Sequence, residues 1–350
     1  MVSVAILGAG IFAKEAHIPG LATLGDQIIV KAIYSRSEKS SRDLAAFVKT
    51  TLGSTVVDPS IYHDADPQNS IDALLARSDI DAVIVVLLIT KQPEVILKAL
   101  AAGKHVLSEK PIAKDVATGI DLVRKYVLEY RPKGLIWRVA ENFEYEPVYR
   151  EVGQLIRGGQ IGRVVGFSAT GFIPTSKDNK YYKTDWRTVP DLDGGVHWAA
   201  ALRTILQEPL KLVSGFASLN IDWLAPLDTL TAVIQTASGA HGSFSLSFAA
   251  SVQNTARFGF VILGTEGLVE ITRKGSDLTL KLTKADGSVD TIEHAPRGVQ
   301  LELAAFVNAI KGVDDGLGTP LSALKDVGLL QAAFESQGKL VDLQELVPEF

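Results

Sequence analysis

The 350-residue sequence contains no cysteine. That absence removes disulfides, thiolate nucleophiles and sulfur-ligated metal together. Clusters of Lys and Arg are missing too, and with a net charge of −5 and a pI near 5.7 the chain has no basic footprint for nucleic acid. The longest uninterrupted apolar run, Ala82 to Ile89, falls far short of the roughly 20 residues a membrane helix requires. No secretory signal pattern opens the chain, because a Gly-rich turn stands where the apolar region of such a signal would be. The histidines His17, His63, His105, His197, His241 and His294 show no close ligand spacing, so no metal is expected. A cytoplasmic protein is the expectation, and its length and 47% hydrophobic content suffice for two domains with cores of their own.

What is present is concentrated first at the N-terminus. Ser3 to Leu7 suits a buried strand and breaks at once into Gly8-Ala9-Gly10-Ile11-Phe12-Ala13, a GxGxxA spacing. Gly8 allows the tight turn, Gly10 lets backbone approach a pyrophosphate, and Ala13 permits close helix–strand packing. Gly8, Gly10, Ile11 and Phe12 are therefore the expected phosphate-binding residues, at the positive end of the new helix. The competing reading is a Gly-rich turn that binds nothing. Ile28 to Tyr34 is a second strand, and it ends in Ser35-Arg36-Ser37-Glu38-Lys39 rather than in the acidic residue that NAD-selective folds place there. Ser35, Arg36 and Lys39 favour the 2′-phosphate of NADP(H) over NAD(H); a solvated loop before a helix starting near Ser40 is the alternative.

Farther along, Ala82 to Leu88 reads as a buried parallel strand and Pro93 to Ala102 as a helix ended by Gly103. His105 to Ser108 is the next strand, Asp121 to Tyr130 a helix, and Gly134 to Ala140 the last strand of the alternation. This pattern predicts an α/β fold, with a doubly wound Rossmann domain over 1–137. From Val164 to His294 eight strand-like segments follow at short spacing, which predicts an α+β domain over 138–350 with a large, mostly antiparallel open sheet. Its closing helices are expected at 300–311 and 320–337. Asp193-Gly194-Gly195-Val196-His197 would place Asp193 and His197 at i, i+4 on one helix face, a carboxylate beside an imidazole suited to proton transfer. A lone helical His is more often a hydrogen-bonded structural residue, and a lone Lys after a strand is usually solvated.

GxGxxA at Gly8, His17-Ile18-Pro19 and above all Gly103-Lys104-His105-Val106-Leu107-Ser108-Glu109-Lys110-Pro111-Ile112-Ala113 carry a resemblance. Over essentially its whole length the chain resembles the glucose-fructose oxidoreductase / inositol dehydrogenase / rhizopine catabolism family, and most of all its NADP-dependent fungal members. The DxGxH string at Asp193 matches that family residue by residue. The resemblance implies an NADP-dependent oxidoreductase transferring hydride between nicotinamide and a carbonyl or hydroxyl carbon of a small, sugar-like substrate. It implies Lys110, Asp193 and His197 as catalytic and substrate-contacting residues, with Lys110 also at the nicotinamide. Leu87, Leu88, Glu109, Asn142 and Arg187 would face the cofactor, and Tyr145 and Trp186 the substrate. Arg187 as a surface ion-pair partner and Tyr145 as core packing stay open beside these roles, and His17 reads as packing. The second sheet would serve a homo-oligomer, a dimer or tetramer.

The sequence departs from the family pattern in three places. The stretch from Arg187 to Asp193 is shorter than usual, Ala200 replaces an Asp after the His, and Leu87-Leu88-Ile89 with Gln92 replace Thr-Pro-Asn and its following His. A competing reading is therefore a non-catalytic NAD(P)-binding sensor or transcriptional regulator. NAD-linked glycoside cleavage is disfavoured by the NADP-type loop.

Overall fold

The computed structural model describes residues 1–53, 58–178, 194–250 and 258–349. By its internal contacts the chain divides into two units, Met1–Asn142 with Gly298–Leu324, and Phe143–Arg297 with Lys325–Glu349.

In the first unit, VSVAIL and AVIV have no polar face to offer water, and both become strands buried along their whole length. The chain alternates β1 (Val2–Leu7), α1 (Ile18–Ala22), β2 (Ile28–Ser35), α2 (Glu38–Leu52), β3 (Ser60–His63), α3 (Ile71–Leu75), β4 (Ala82–Val85), α4 (Gln92–Ala101), β5 (His105–Glu109), α5 (Val116–Lys125) and β6 (Trp137–Ala140). All adjacent pairs are parallel, in the order β3-β2-β1-β4-β5-β6. The order reverses between β1 and β4, and in such sheets the crevice beyond that switch point takes the ligand.

Helix boundaries follow their caps. Ser37 accepts from the Ser40 N–H at 3.2 Å, so α2 starts at Glu38, two residues before the expected Ser40, and Lys39 lies in its first turn. Ser70 caps α3 at 3.3 Å, and Gly103, at φ +75°, follows α4. Asp115 accepts from Thr118 N–H at 2.7 Å and starts the next helix at Val116, well ahead of the expected Asp121.

The sequence pattern predicts one continuous domain over 138–350. The packing is discontinuous: helix Gly298–Ile310 joins the first unit, where Leu303, Phe306 and Val307 enter the core with Val4, Ile6, Ile18, Leu21 and Ile33. A Cβ on Gly20 would lie 2.6 Å from Leu303 Cδ1, so this glycine is what lets the helix close on α1.

The second unit begins within a short helical turn, Asn142–Tyr145, and continues with α6 (Pro147–Arg157) and β7 (Val164–Phe172), then α7 (Val196–Leu206), β8 (Leu210–Ser218), β9 (Thr229–Thr236), β10 (His241–Ser247), β11 (Phe258–Gly264), β12 (Gly267–Lys274), β13 (Asp277–Lys284), β14 (Val289–His294) and the short β15 (Val341–Asp342). These form a nine-stranded sheet in the order β14-β13-β12-β11-β7-β10-β9-β8-β15. Every pairing is antiparallel except β7 with β10. Alternation assigns the faces: Phe167, Ala169, Ala232, Ile234, Phe244, Leu246, Phe260 and Ile262 are buried, while Ser168, Val233, Ser243 and Val261 share the other face.

Candidate active site

Three of the expected groups lie at the carboxyl edge of the parallel sheet. Gly8 ends β1 at φ +117°, donates its N–H to Tyr34 O at 2.8 Å, and would place a Cβ 2.0 Å from Val86 O. No other residue fits that turn. A Cβ on Gly10 would meet nothing within 4 Å, so backbone there is open to a close-approaching group. Ile11 and Phe12 precede a wide helical turn, Ala13–His17, in which Ile18 N–H reaches back to Ala13 O. N–H groups at such a start have no partner within the helix and favour anionic oxygens. An open glycine beside helix-start donors is the arrangement a pyrophosphate requires, so these residues fit a dinucleotide.

At the end of β2, Ser35 is half-buried and Arg36 and Lys39 are exposed. Glu38 is drawn toward Arg42, whose Nε donates to its Oε1 at 2.8 Å, one turn along α2. No acidic side chain ends β2. Behind it the Tyr34 hydroxyl donates to Asp64, and burial together with that carboxylate raises the phenol pKa well above its usual value.

The Lys104-to-Pro111 string divides into structural and rim residues. Lys104 is buried and donates to Ile80 O at 2.9 Å, and burial lowers its pKa. His105 Nδ1 accepts from Ile136 N–H at 2.9 Å, and burial lowers the pKa of its imidazole, in keeping with a neutral acceptor. Ser108 Oγ accepts from Trp137 Nε1 at 3.0 Å. These three fix β5 against its neighbours, and Glu109-Lys110 emerge at its carboxyl end, where the Lys110–Pro111 bond is cis. Glu109 is buried, with Oε1 2.6 Å from His17 Nε2 and Oε2 accepting the Lys110 backbone N–H at 3.3 Å. His17, wholly buried, thus joins the helix after the Gly-rich turn to the Lys110 corner, a link whose partners are too far apart in sequence to be read as a pair. Glu109 pairs in register with Ala140, so Asn142 follows on the same rim.

Leu87 and Leu88 follow β4, half-buried, and Leu87 Cδ2 would lie 3.3 Å from a Cβ on Gly8. Gln92, at the start of α4, is buried, and its Oε1 has no hydrogen-bond partner among the described residues. An orphaned buried oxygen costs about 1–3 kcal/mol unless something donates to it.

In the second unit His197 is the second residue of α7, half-buried. A Cβ on Gly194 would lie 2.5 Å from Phe248 Cζ, and one on Gly195 2.7 Å from Leu330 Cδ1, so the paired glycines let the helix start against both side chains. Trp198 locks the next position, 4.8 Å from the Phe258 ring and 5.2 Å from that of Phe260. The imidazole of His197 stacks on Phe143 with centroids 4.6 Å apart and planes 20° from parallel. Tyr145 is 2% exposed, which favours the core-packing alternative for it. Asp193, Trp186 and Arg187 lie outside the described residues. Among the described residues no three His, Asp or Glu side chains are grouped to hold a metal, and no helix is long and apolar enough to cross a membrane.

Comparison with known proteins accords with these features. Residues 2–127 match the model of an oxidoreductase family with an NAD-binding Rossmann fold, and residues 149–270 match the GFO/IDH/MocA C-terminal domain. Dehydrogenase FPY6 of Fusarium mangiferae is 38% identical, covering 98% of this chain and all of the relative. A dTDP-3,4-didehydro-2,6-dideoxy-α-D-glucose 3-reductase of Streptomyces violaceoruber is 31% identical over 82% of this chain and 79% of its own. The crystal structure of an oxidoreductase from Thermotoga maritima, TM0312, superposes with a TM-score of 0.83 at 28% identity over 99% of both chains. The Rossmann unit with its Gly-rich turn, the large second sheet and these matches along nearly the whole length together show that the chain belongs to the GFO/IDH/MocA family of NAD(P)-dependent oxidoreductases.

Proposed function

We propose that this chain is an NADP-dependent carbonyl oxidoreductase that transfers hydride between the nicotinamide and a carbonyl or hydroxyl carbon of a small, sugar-like substrate. The observation that carries the reading is the carboxyl edge of one parallel sheet, where the Gly8–Gly10 turn, the exposed Arg36 and the Glu109-Lys110 corner all emerge. NADPH, when bound, would supply the hydride for the carbonyl carbon. Negative charge then grows on the carbonyl oxygen, and the Lys110 ammonium stabilises it. His197, with Asp193 as its proposed acidic partner, gives that oxygen its proton, so a carbonyl, a hydride and a proton become an alcohol. Ser35, Arg36 and Lys39 bind the 2′-phosphate, and Asn142 with Leu87, Leu88 and Gln92 lines the nicotinamide end. The sugar-nucleotide reductase among its relatives supports the substrate class. The chain works in the cytoplasm as a homo-oligomer joined through the open face of the second sheet, on which Phe216, Val233, Val261 and Leu263 are exposed.

The test is a paired titration and rate measurement. NADPH should bind more tightly than NADH, and Arg36→Ala should weaken NADPH about tenfold or more while leaving NADH nearly unchanged, as loss of one phosphate contact predicts. Equal loss for both cofactors would remove Arg36 from 2′-phosphate recognition. A binding-only sensor, which the short Arg187–Asp193 stretch favours, would hold NADPH without oxidising it in the presence of sugars, dicarbonyls or aldehydes.

A further inference from the structure

We infer that Phe143 is a positioning residue for His197, and that an ion cluster of Glu144, Arg203 and Asp326, centred on the helix that carries His197, holds Phe143 in place. The inference rests on the reading of His197 as the proton-transfer group. An imidazole turns about a soft sp³–sp² torsion, so its backbone alone does not aim either nitrogen. A ring lying 4.6 Å away and 20° from parallel removes that freedom, because rotation out of the plane drives the imidazole edge into the phenyl face.

Phe143 is itself held from two sides. Behind it the Tyr149 ring lies 5.6 Å away, and Tyr149 meets Phe260 of β11 edge-on at 5.4 Å, so the stack continues into the sheet. Beside it Glu144 accepts from Arg203 Nη1 at 3.0 Å. Arg203 is fixed in turn by a two-pronged contact with Asp326, Nε to Oδ1 at 3.1 Å and Nη2 to Oδ2 at 2.9 Å. Burial opposes the charge on Arg203, but Asp326 and Glu144 outweigh it and hold the guanidinium pKa well above its usual value. Both carboxylates are nearly inaccessible. Arg203 and His197 belong to one helix, roughly 9 Å apart along its axis at about 1.5 Å per residue. The turn carrying Phe143 and Glu144 is therefore pinned to α7 at two separated points, and the imidazole plane is set by the second unit's own packing.

The experiment uses the full chain with ¹³C-labelled histidine, its His197 ring signals assigned by their loss in His197→Gln. In the wild type the Phe143 ring current shifts the His197 carbon-bound protons upfield. Phe143→Leu, which keeps an apolar side chain without the ring, should move them downfield, Phe143→Tyr should leave them in place, and Glu144→Gln should give an intermediate shift. With a substrate in hand, Phe143→Leu should lower kcat about tenfold or more, leave the KM for NADPH unchanged and enlarge the solvent isotope effect, as misaligned proton transfer requires. Phe143→Tyr should recover wild-type values. Signals unmoved in Phe143→Leu, or moved signals with kcat unchanged, would overturn the inference. The resonances decide the stack even in a chain without turnover, so failure of the oxidoreductase reading is told apart from failure of this one.

Discussion

Lys110 stands where the β5 strand stops and its backbone is held by Glu109, which His17 holds in turn. On the proposed function the Lys110 ammonium is a charge stabiliser more than a binding contact, and the two roles separate kinetically. Lys110→Ala should therefore cut kcat on the order of a hundredfold while NADPH affinity stays within about tenfold. Cofactor titration beside steady-state rates checks this, and unchanged turnover would remove Lys110 from the chemistry. The residues that were legible in sequence are those whose role is local. Gly8 announces itself because a positive φ and a close approach to Val86 are demanded within a single turn. The partners of His17, His197 and Arg203 are invisible to spacing, since Glu109, Phe143 and Asp326 reach them only through the fold.

At the scale of elements, alternating strands and helices in the first unit and the succession of strands in the second could both be read from periodicity, because each face needs its own burial pattern. The expected strand Val164 to Phe172 coincides with β7. Helix starts were read less well, since a cap is one side chain and Asp115 competes with several other polar residues nearby. Attachment of Gly298–Ile310 to the first unit was not legible, because an apolar helix face does not state which core it enters. The loop between β8 and β9 gives a prediction of its own. Asp228 is buried, which raises its pKa, yet bonds from Asn220 Nδ2, Asn220 N–H, Ile221 N–H and Thr229 outweigh burial and leave the pKa lowered. A lowered carboxylate stabilises the fold above its unfolded pKa and loses that contribution as pH falls through the folded value. Asp228→Asn should cost about 1–3 kcal/mol at neutral pH and flatten the acid side of the stability curve, measured by denaturant unfolding at several pH values. An unchanged acid limb would mean that other carboxylates carry it.

For the whole molecule, the second sheet has one buried face and one that carries Ser168, Ser243, Val233 and Val261 in a continuous row of register partners. These four positions are small hydroxyls and β-branched side chains, and the row becomes charged only beyond Val261, at the Glu270–Lys281 ion pair, so the uncharged stretch supports the proposed subunit contact. Val233→Asp with Val261→Asp should convert an oligomer to monomers, read as mass by light scattering, with the unfolding midpoint of the monomer retained. A wild-type chain that is monomeric at micromolar concentration would contradict the assignment.

The proposed function turns on hydride passing to a substrate carbon, with Lys110 and His197 proposed as the groups that assist it. The direct measurement follows deuterium from NADPH deuterated at the nicotinamide C4 into product, across a panel of sugars, dicarbonyls and aldehydes. The predicted result is label on the newly formed carbinol carbon with the wild type, and little or none with Lys110→Ala or His197→Ala, although both still bind NADPH. NADPH that binds the wild type and keeps its deuterium against every member of the panel would contradict the proposed hydride transfer.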